Sequence, residues 1–526
     1  MRSSAPRPAP GAVSGTDTGP GGGTVADAHR GRRPATYSAG QAVTASPHRF
    51  SAPDLRRGPP GHPARPCPGR PAGRKYHGTV GGGVADQAVI RPADLPGHEV
   101  SAVPSPGRLR RRWRPIAVSA LVLVSGLAYC FFWVPVVHHG NRWVEPGDIW
   151  QTFRSAHYVG WGDIGGIYTG GTHLVTFPGI AVLLAPVAMI SGALGLSESI
   201  APFYLAHPAA WFLLGPAEIL LGTPMLFALD AVAERCALGP TRRSLLAVME
   251  GFLLWQVVVL WGHPEDALAL GLAVYALLAG LDGKWTASGW LWGASVVVQP
   301  LTGLILPIAV AQAPRGIRLR LCVQAALPSV VLLAIPLATN WSATTNALLR
   351  QPNYPTVDHP TPWMAFAPVL RPHVTVSAGP PRSLAVLGAL GLGIWSLRRR
   401  WPMNELFWLA GLALSLRCVF EAVMDPYYLV PPAALIVTAA FARQSRWRPT
   451  VAALAMVVDT IFSYHHLGEW AYWVPMVALL AVGLACGWPW TTAPGSAPPP
   501  DDASREPVGD TDTARAPGQA SAPTTG

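Results

Sequence analysis

The chain has 526 residues, of which 50% are hydrophobic and only 13% charged, about half the roughly 25% charged share of an ordinary soluble domain. With a mean hydropathy of +0.29, this composition excludes a collagen, a coiled coil and a simple soluble enzyme, and it points to a polytopic membrane protein. The net charge of +11 is carried almost wholly by arginine, Lys75 and Lys284 being the only lysines; so one-sided a bias is compositional, and no nucleic-acid partner is read from it.

Residues 1–107 are rich in Pro, Gly, Ala, Ser and Arg and show no apolar periodicity. Such a segment cannot bury enough surface to offset its ordering entropy, so a disordered cytoplasmic tail is expected. It is also too long and too polar for a secretory signal. The first span, 116–137, follows Arg108, Arg110, Arg111, Arg112 and Arg114, a run that belongs on the cytoplasmic side. Further spans are predicted near 177–196, 244–261, 267–281, 321–339, 383–397, 404–423, 427–442, 449–464 and 470–488. Helices are the form expected, because open strands leave backbone groups unpaired in lipid. From about 491 the chain is again Pro-, Ala- and Gly-rich, now with Asp and Glu, and reads as a second disordered tail. The transmembrane domain is therefore placed at 108–490, with extracytoplasmic loops at 138–176 and 340–382.

The loops carrying Arg242-Arg243, Lys284, Arg315, Arg318 and Arg320, Arg398 to Arg400, and Arg443, Arg446 and Arg448 are assigned to the cytoplasm. That parity requires residues 286–312 and 198–235 each to leave and return. Breaks are expected at Gln299-Pro300 and at Gly215-Pro216, and half-length helices are tolerated where neighbours bury them or where they line a cavity. The count becomes about 12–14 crossings in the cell membrane, with both termini cytoplasmic. Cys67, Cys130, Cys236, Cys322, Cys418 and Cys486 show no metal or redox spacing and read as small apolar residues.

With that topology the chemistry-bearing residues share the outer face: Glu145, Asp148, Asp163 and His173, then His263, Glu265 and Asp266, then Gln299. Asp358, His359, Arg371 and His373 follow in the second long loop, and Asp425, His465, His466 and Glu469 complete the set. The first outer loop reads Gly147-Asp148-Ile149-Trp150, Gly165-Gly166-Ile167-Tyr168 and Thr176-Phe177-Pro178-Gly179, with Ala185-Pro186 in the helix after it. Later come Trp261-Gly262-His263-Pro264-Glu265-Asp266, and a small-residue helix ending in Gln299-Pro300.

These elements resemble the glycosyltransferase-C superfamily and are most similar to the actinobacterial mannosyltransferases that use polyprenyl-phosphate-mannose. In that family an Asp after the first span precedes a Gly-x-x-Tyr-like element, and an aromatic-Pro-Pro sequence opens a second span that holds an Ala-Pro. A polar Gly-led motif opens a later span, and a small-residue helix ends in Lys-Pro. The pattern covers about 110–450, its first-loop part being the more specific. Gly179 stands where the second Pro would be, His263-Pro264-Glu265-Asp266 replaces a Gly-Gln-type motif, and Gln299 replaces the Lys.

The resemblance implies an all-α, glycosyltransferase-C-like bundle. Its implied activity is transfer of a hexose, mannose first, from a polyprenyl-phosphate donor to an extracytoplasmic glycolipid or glycan. Asp148 is the general base that it implies. Inverting transfer needs one base on the acceptor hydroxyl, while the departing phosphate needs positive charge or hydrogen-bond donors. Arg350, Arg371 and His263 are candidates for that role. Substrate contacts are expected at His263, Glu265, Asp266, Gln299, Arg371, Asp425 and Tyr427. Partners are membrane lipids, the lipid-linked donor and the acceptor; no resident cofactor is implied, and a divalent metal is left open.

Blander readings stand beside these. Pro264, Glu265 and Asp266 suit the first turn of a helix, as an alternative to contacts with sugar hydroxyls or a divalent ion. Asp358-His359 reads as solvated loop or as acceptor recognition, and Tyr427 as an interfacial anchor. Arg417 and Glu421, four apart on one helix, are expected to pair. His465, His466 and Glu469 lack a further ligand at metal spacing. There is no His-Glu-x-x-His, no phosphate-binding loop at Gly283-Lys284 and no dinucleotide fingerprint. A lipid or polar-solute transporter is the main alternative function, suggested by the broken helices with Arg417, Glu218 and Asp459. A non-catalytic relative is the third, favoured by Gln299.

Overall fold

The computed structural model describes residues 112–130, 147–169, 174, 176–196, 209–356, 358–372, 374–398 and 400–489. The two expected tails, residues 131–137 of the first span, and Glu145, His173 and His373 lie outside the described residues.

In chain order the helices are α1 Trp113–Ala128, α2 Gly147–Gly160, α3 Gly179–Ala193, α4 Trp211–Gly222, α5 Pro224–Arg235, α6 Pro240–Trp255, α7 Pro264–Leu281, α8 Trp285–Val298, α9 Leu306–Gln312, α10 Arg318–Thr339, α11 Trp341–Thr345, α12 Pro381–Ser396, α13 Met403–Val419, α14 Val430–Phe441, α15 Arg448–Phe462 and α16 Glu469–Gly487. Four short strands, β1 His359–Pro360, β2 Val369–Arg371, β3 Thr375–Val376 and β4 Val423–Met424, form two antiparallel pairs, β1 with β4 and β2 with β3. Proline opens α5, α6, α7 and α12 within their first two residues, where its missing N–H costs nothing.

The protein is mostly helical and is a membrane protein by the length and composition of its helices. Among the described residues five segments are long and apolar enough to cross a bilayer: Trp211–Arg235, Pro240–Leu260, Pro264–Leu281, Arg318–Thr339 and Glu469–Gly487. Trp113–Ala128, Gly179–Ala193 and Pro426–Phe441 are apolar but shorter. The most apolar window of α7 is 78% buried and that of α10 only 28%. Thus α7 is the central helix, packed by α4, α5 and α8. In contrast, α10 is a rim helix, which turns Leu319, Val323, Val330 and Val331 outward.

The break expected at Gln299-Pro300 is present: α8 stops at Val298, a 3-10 turn covers Pro300–Leu304, and α9 restarts at Leu306. The break expected at Gly215-Pro216 is not. Helix α4 runs through both residues and is interrupted at Thr223, with Pro224 opening α5. Pro224 has no N–H to give the helix ladder, and Gly271 of α7 packs against it: a Cβ at 271 would stand 2.6 Å from the Pro224 carbonyl carbon.

Ion pairs fasten one end of the bundle. Asp230 receives Arg112 at 3.0 Å and Arg243 at 2.8 Å, and Arg235 grips Asp282 through both oxygens at 2.7 and 2.8 Å. That grip holds the Asp282 carboxyl below its usual range. Arg242 donates to the Arg443 carbonyl at 2.7 Å, and Arg443 to that of Gly487 at 3.1 Å. The start of α1 and the finish of α16 are therefore linked, through the start of α6, into one arginine-rich end. His263 lies at the opposite end of α7 from Asp282. At 18 residues, α7 separates them by roughly 27 Å.

Candidate functional site

At that opposite end the chain reverses between α6 and α7. The last turn of α6 widens into a π-helical segment, Gln256–Leu260. Gly262, with φ +67, takes the left-handed conformation that lets His263 start α7. The His263 N–H bonds to the Val257 carbonyl at 2.9 Å, and no side chain caps this helix start. Glu265 and Asp266 are turned to each other's neighbourhood instead of to the first-turn amides.

His263 Nδ1 lies 2.7 Å from Glu265 Oε1 and 4.0 Å from Asp266 Oδ2. Gln299, at the broken junction after α8, donates from Nε2 to Asp266 Oδ1 at 2.9 Å. Its own Oε1 accepts a long bond, 3.5 Å, from Thr176. Glu265 and Asp266 are 3% and 0% exposed, yet Glu265 Oε2 and Asp266 Oδ2 have no hydrogen-bond partner. His263 is the most accessible of the three.

Aromatic rings frame the cluster. Tyr427 lies flat on the His263 imidazole, centroids 3.6 Å apart at 19°, and donates its hydroxyl to Asp425 Oδ2 at 2.9 Å. Trp261 stacks on Tyr464 at 5.6 Å, and the Tyr464 hydroxyl reaches Gln256. Six of the expected substrate-contact residues are joined: His263 to Glu265 and Tyr427, Tyr427 to Asp425, and Asp266 to Gln299. They come from three remote stretches.

The first outer loop approaches the same place. Helix α2 packs along α3, and the N-terminus of α3 meets the end of α8. A Cβ on Gly179 would stand 2.4 Å from the Val297 carbonyl oxygen. A glycine at 179 is what lets these backbones touch. Tyr168 donates to the Thr176 carbonyl at 2.8 Å, and burial pushes its hydroxyl above its usual value. Asp163 accepts from the Gly166 N–H at 3.0 Å and so closes the turn of the Gly-x-x-Tyr element. Asp148 falls in the first turn of α2; its side chain lies outside the described residues.

Other expected residues are placed differently. Arg371 is exposed in β2, and no contact brings it to the cluster. Arg350 is exposed in a π-helical turn. His359 is not solvated: it is 4% exposed, stacks on Tyr472 at 4.0 Å and meets the Ser463 carbonyl at 2.5 Å through Nε2. Burial lowers its affinity for a second proton, with nearby His466 adding to the effect, although the Ser463 bond opposes it. His465 and His466 are exposed. Among the described residues His263, Glu265 and Asp266 alone form a group with metal-ligand spacing.

A second buried polar group lies beside the first. Arg417 Nε is 2.6 Å from Glu421 Oε2, the expected pairing. Arg382, at the start of α12, joins the same carboxylate at 2.8 Å and Gln351 at 2.5 Å. The Arg417 guanidinium sits 4.8 Å from the Tyr428 ring, which packs edge-on against Tyr427 at 4.7 Å. Sequence reasoning missed Arg382, Gln256 and Tyr464, and gave Thr176 a place in a motif but no role. Arg382 left a trace: an arginine opening an apolar segment at the end opposite the arginine-rich loops. Comparison with protein-family models and with curated proteins gives no match for this chain.

Proposed function

We propose that this protein is a membrane glycosyltransferase that moves a hexose, mannose in the first instance, from a polyprenyl phosphate onto a glycolipid or glycan. The arginine-rich end faces the cytoplasm, and the His263 end opens on the other side. The observation that carries the reading is the convergence of remote stretches on Asp266: Gln299 directly, Thr176 through Gln299, and His263 with its partners Glu265 and Tyr427. Polar side chains gathered in this way inside an apolar bundle are costly and mark a site.

In the reaction, Asp148 takes the proton of the acceptor hydroxyl as its oxygen attacks the anomeric carbon. The bond from that carbon to the phosphate oxygen breaks, and the lipid phosphate leaves as an anion that needs no acid. Neutral donors such as the Gln299 amide, and the Arg382–Glu421–Arg417 group nearby, supply hydrogen bonds and positive charge for it. Asp425 and Tyr427 orient the His263 ring and offer acceptors for sugar hydroxyls. The test is transfer from labelled polyprenyl-phosphate-mannose in membranes. Asp148→Asn abolishes transfer while the protein stays folded; full activity in that variant removes Asp148 from the role.

One observation favours transport instead. Asp459, 1% exposed within α15, has no partner on either carboxylate oxygen. An intramembrane carboxylate of that kind marks ion or proton pathways. Uptake of a labelled lipid or solute into proteoliposomes, lost on Asp459→Asn and accompanied by no sugar transfer, would establish that reading over the first.

A further inference from the structure

The three side chains that open α7 have a property that neither capping nor sugar contact requires. A cap satisfies first-turn amides, and the His263 side chain makes no such bond while its own N–H is bonded to Val257. Sugar contact calls for no pair of neighbouring buried acids, whereas Glu265 and Asp266 are 3% and 0% exposed. Two carboxylates and an imidazole keep their ligand atoms within 4.8 Å of one another. Both carboxylates also keep one buried oxygen without a hydrogen-bond partner, Glu265 Oε2 and Asp266 Oδ2. Adjacent buried acids with unmatched oxygens are stable where something positive sits between them.

We propose that His263 Nδ1, Glu265 and Asp266 bind a divalent cation, with Mn2+ and Zn2+ the ions whose coordination chemistry accepts one imidazole beside two carboxylates. Donors held about 2.1 Å from one ion stand roughly 3–4 Å apart. His263 Nδ1 stands 4.0 Å from Asp266 Oδ2, at that spacing, and 2.7 Å from Glu265 Oε1 in a hydrogen bond that the ion would replace. Three protein ligands leave a position open for water or for an anionic oxygen. The outer shell is already built, as metal ligands require: Gln299 holds Asp266 through the oxygen that is not needed, and the flat Tyr427 ring fixes the plane of the imidazole. The cation site stands on these residues alone. Only its use, to hold the phosphate that neutral Gln299 cannot hold by charge, rests on the transferase reading.

The experiment uses the full chain purified in detergent, stripped with EDTA and titrated with Mn2+, free ion being read by its paramagnetic resonance signal; Zn2+ content is measured separately by elemental analysis. One equivalent per chain is expected. Asp266→Asn, which retains an acceptor for Gln299, and Glu265→Gln each weaken binding roughly 10–100-fold. Asp163→Asn leaves it unchanged. If Asp266→Asn does not elute as folded protein, His263→Gln carries the same comparison. Less than stoichiometric binding by the unaltered protein overturns the proposal, and so does binding that all these variants retain. Stoichiometric binding by protein that transfers no sugar preserves the cation site and removes the transferase; EDTA-resistant transfer with no Mn2+ bound does the reverse.

Discussion

Gly179 and Val297 meet backbone to backbone: the position a Cβ would take on the first lies 2.4 Å from the carbonyl oxygen of the second. This contact sets the start of α3 against the end of α8 and thereby places Thr176 beside Gln299. Gly179→Ala must push the two helices apart, at about 1–3 kcal/mol for overpacking of this kind. A lower melting temperature in detergent is the expected outcome, with weaker transfer because the Thr176–Gln299 approach is lost. An unchanged melting temperature would mean that the junction is loose.

Gln299→Ala removes the donor from Asp266 Oδ1 and leaves the buried carboxylate with both oxygens unmatched by hydrogen bonds. The expected destabilisation is about 1–3 kcal/mol. Gln299→Lys retains a donor and brings a positive charge to Asp266. It should melt above Gln299→Ala, and measuring both variants in one detergent separates lost hydrogen bonding from lost volume.

The two arginines on Glu421 differ in depth, their side chains being 12% exposed for Arg417 and 24% for Arg382. Arg417→Ala breaks the more buried pair and is expected to cost about 3–5 kcal/mol. Arg382→Ala costs less, because Arg417 still neutralises the carboxylate. Arg417→Ala combined with Glu421→Gln should recover part of the loss, as thermal unfolding of the three variants would show.

His359 makes stability depend on pH. Its Nε2 proton is held by the Ser463 carbonyl, while Nδ1, where a second proton would go, is buried with no partner. The folded state therefore accepts that proton at a lower pH than the unfolded chain, whose imidazole titrates near 6.5. Above about pH 6.5 both states are neutral there and the residue contributes no slope. Below it the unfolded chain binds the proton first, and stability falls as pH falls. His359→Phe, which preserves a ring against Tyr472, should flatten this part of the melting-temperature profile between pH 7 and 5.

Local signals carried much of this architecture. The Gln299-Pro300 junction was legible because a proline follows a polar residue at the end of an apolar run, and Arg417–Glu421 because four residues bring two side chains to one helix face. The break was misplaced because Pro216 is accommodated inside α4, and the interruption falls at Thr223, before Pro224, where Gly271 packs across the bundle. His359 read as solvated because its burial comes from Tyr472 and Ser463, about a hundred residues further on. The grouping of His263 with Tyr427 and of Asp266 with Gln299 follows from helix packing. Sequence could only assign those residues to a common face.

The chain of contacts from Arg112 through Asp230 and Arg243, then from the adjacent Arg242 through Arg443 to Gly487, has an arithmetic consequence. A polypeptide that enters and leaves a bilayer-spanning bundle on the same face traverses it an even number of times, whatever its interrupted helices do individually. Reporter enzymes fused upstream of residue 112 and downstream of residue 487 are therefore expected to sample the same compartment, and opposite signals from such a pair would be incompatible with that anchoring.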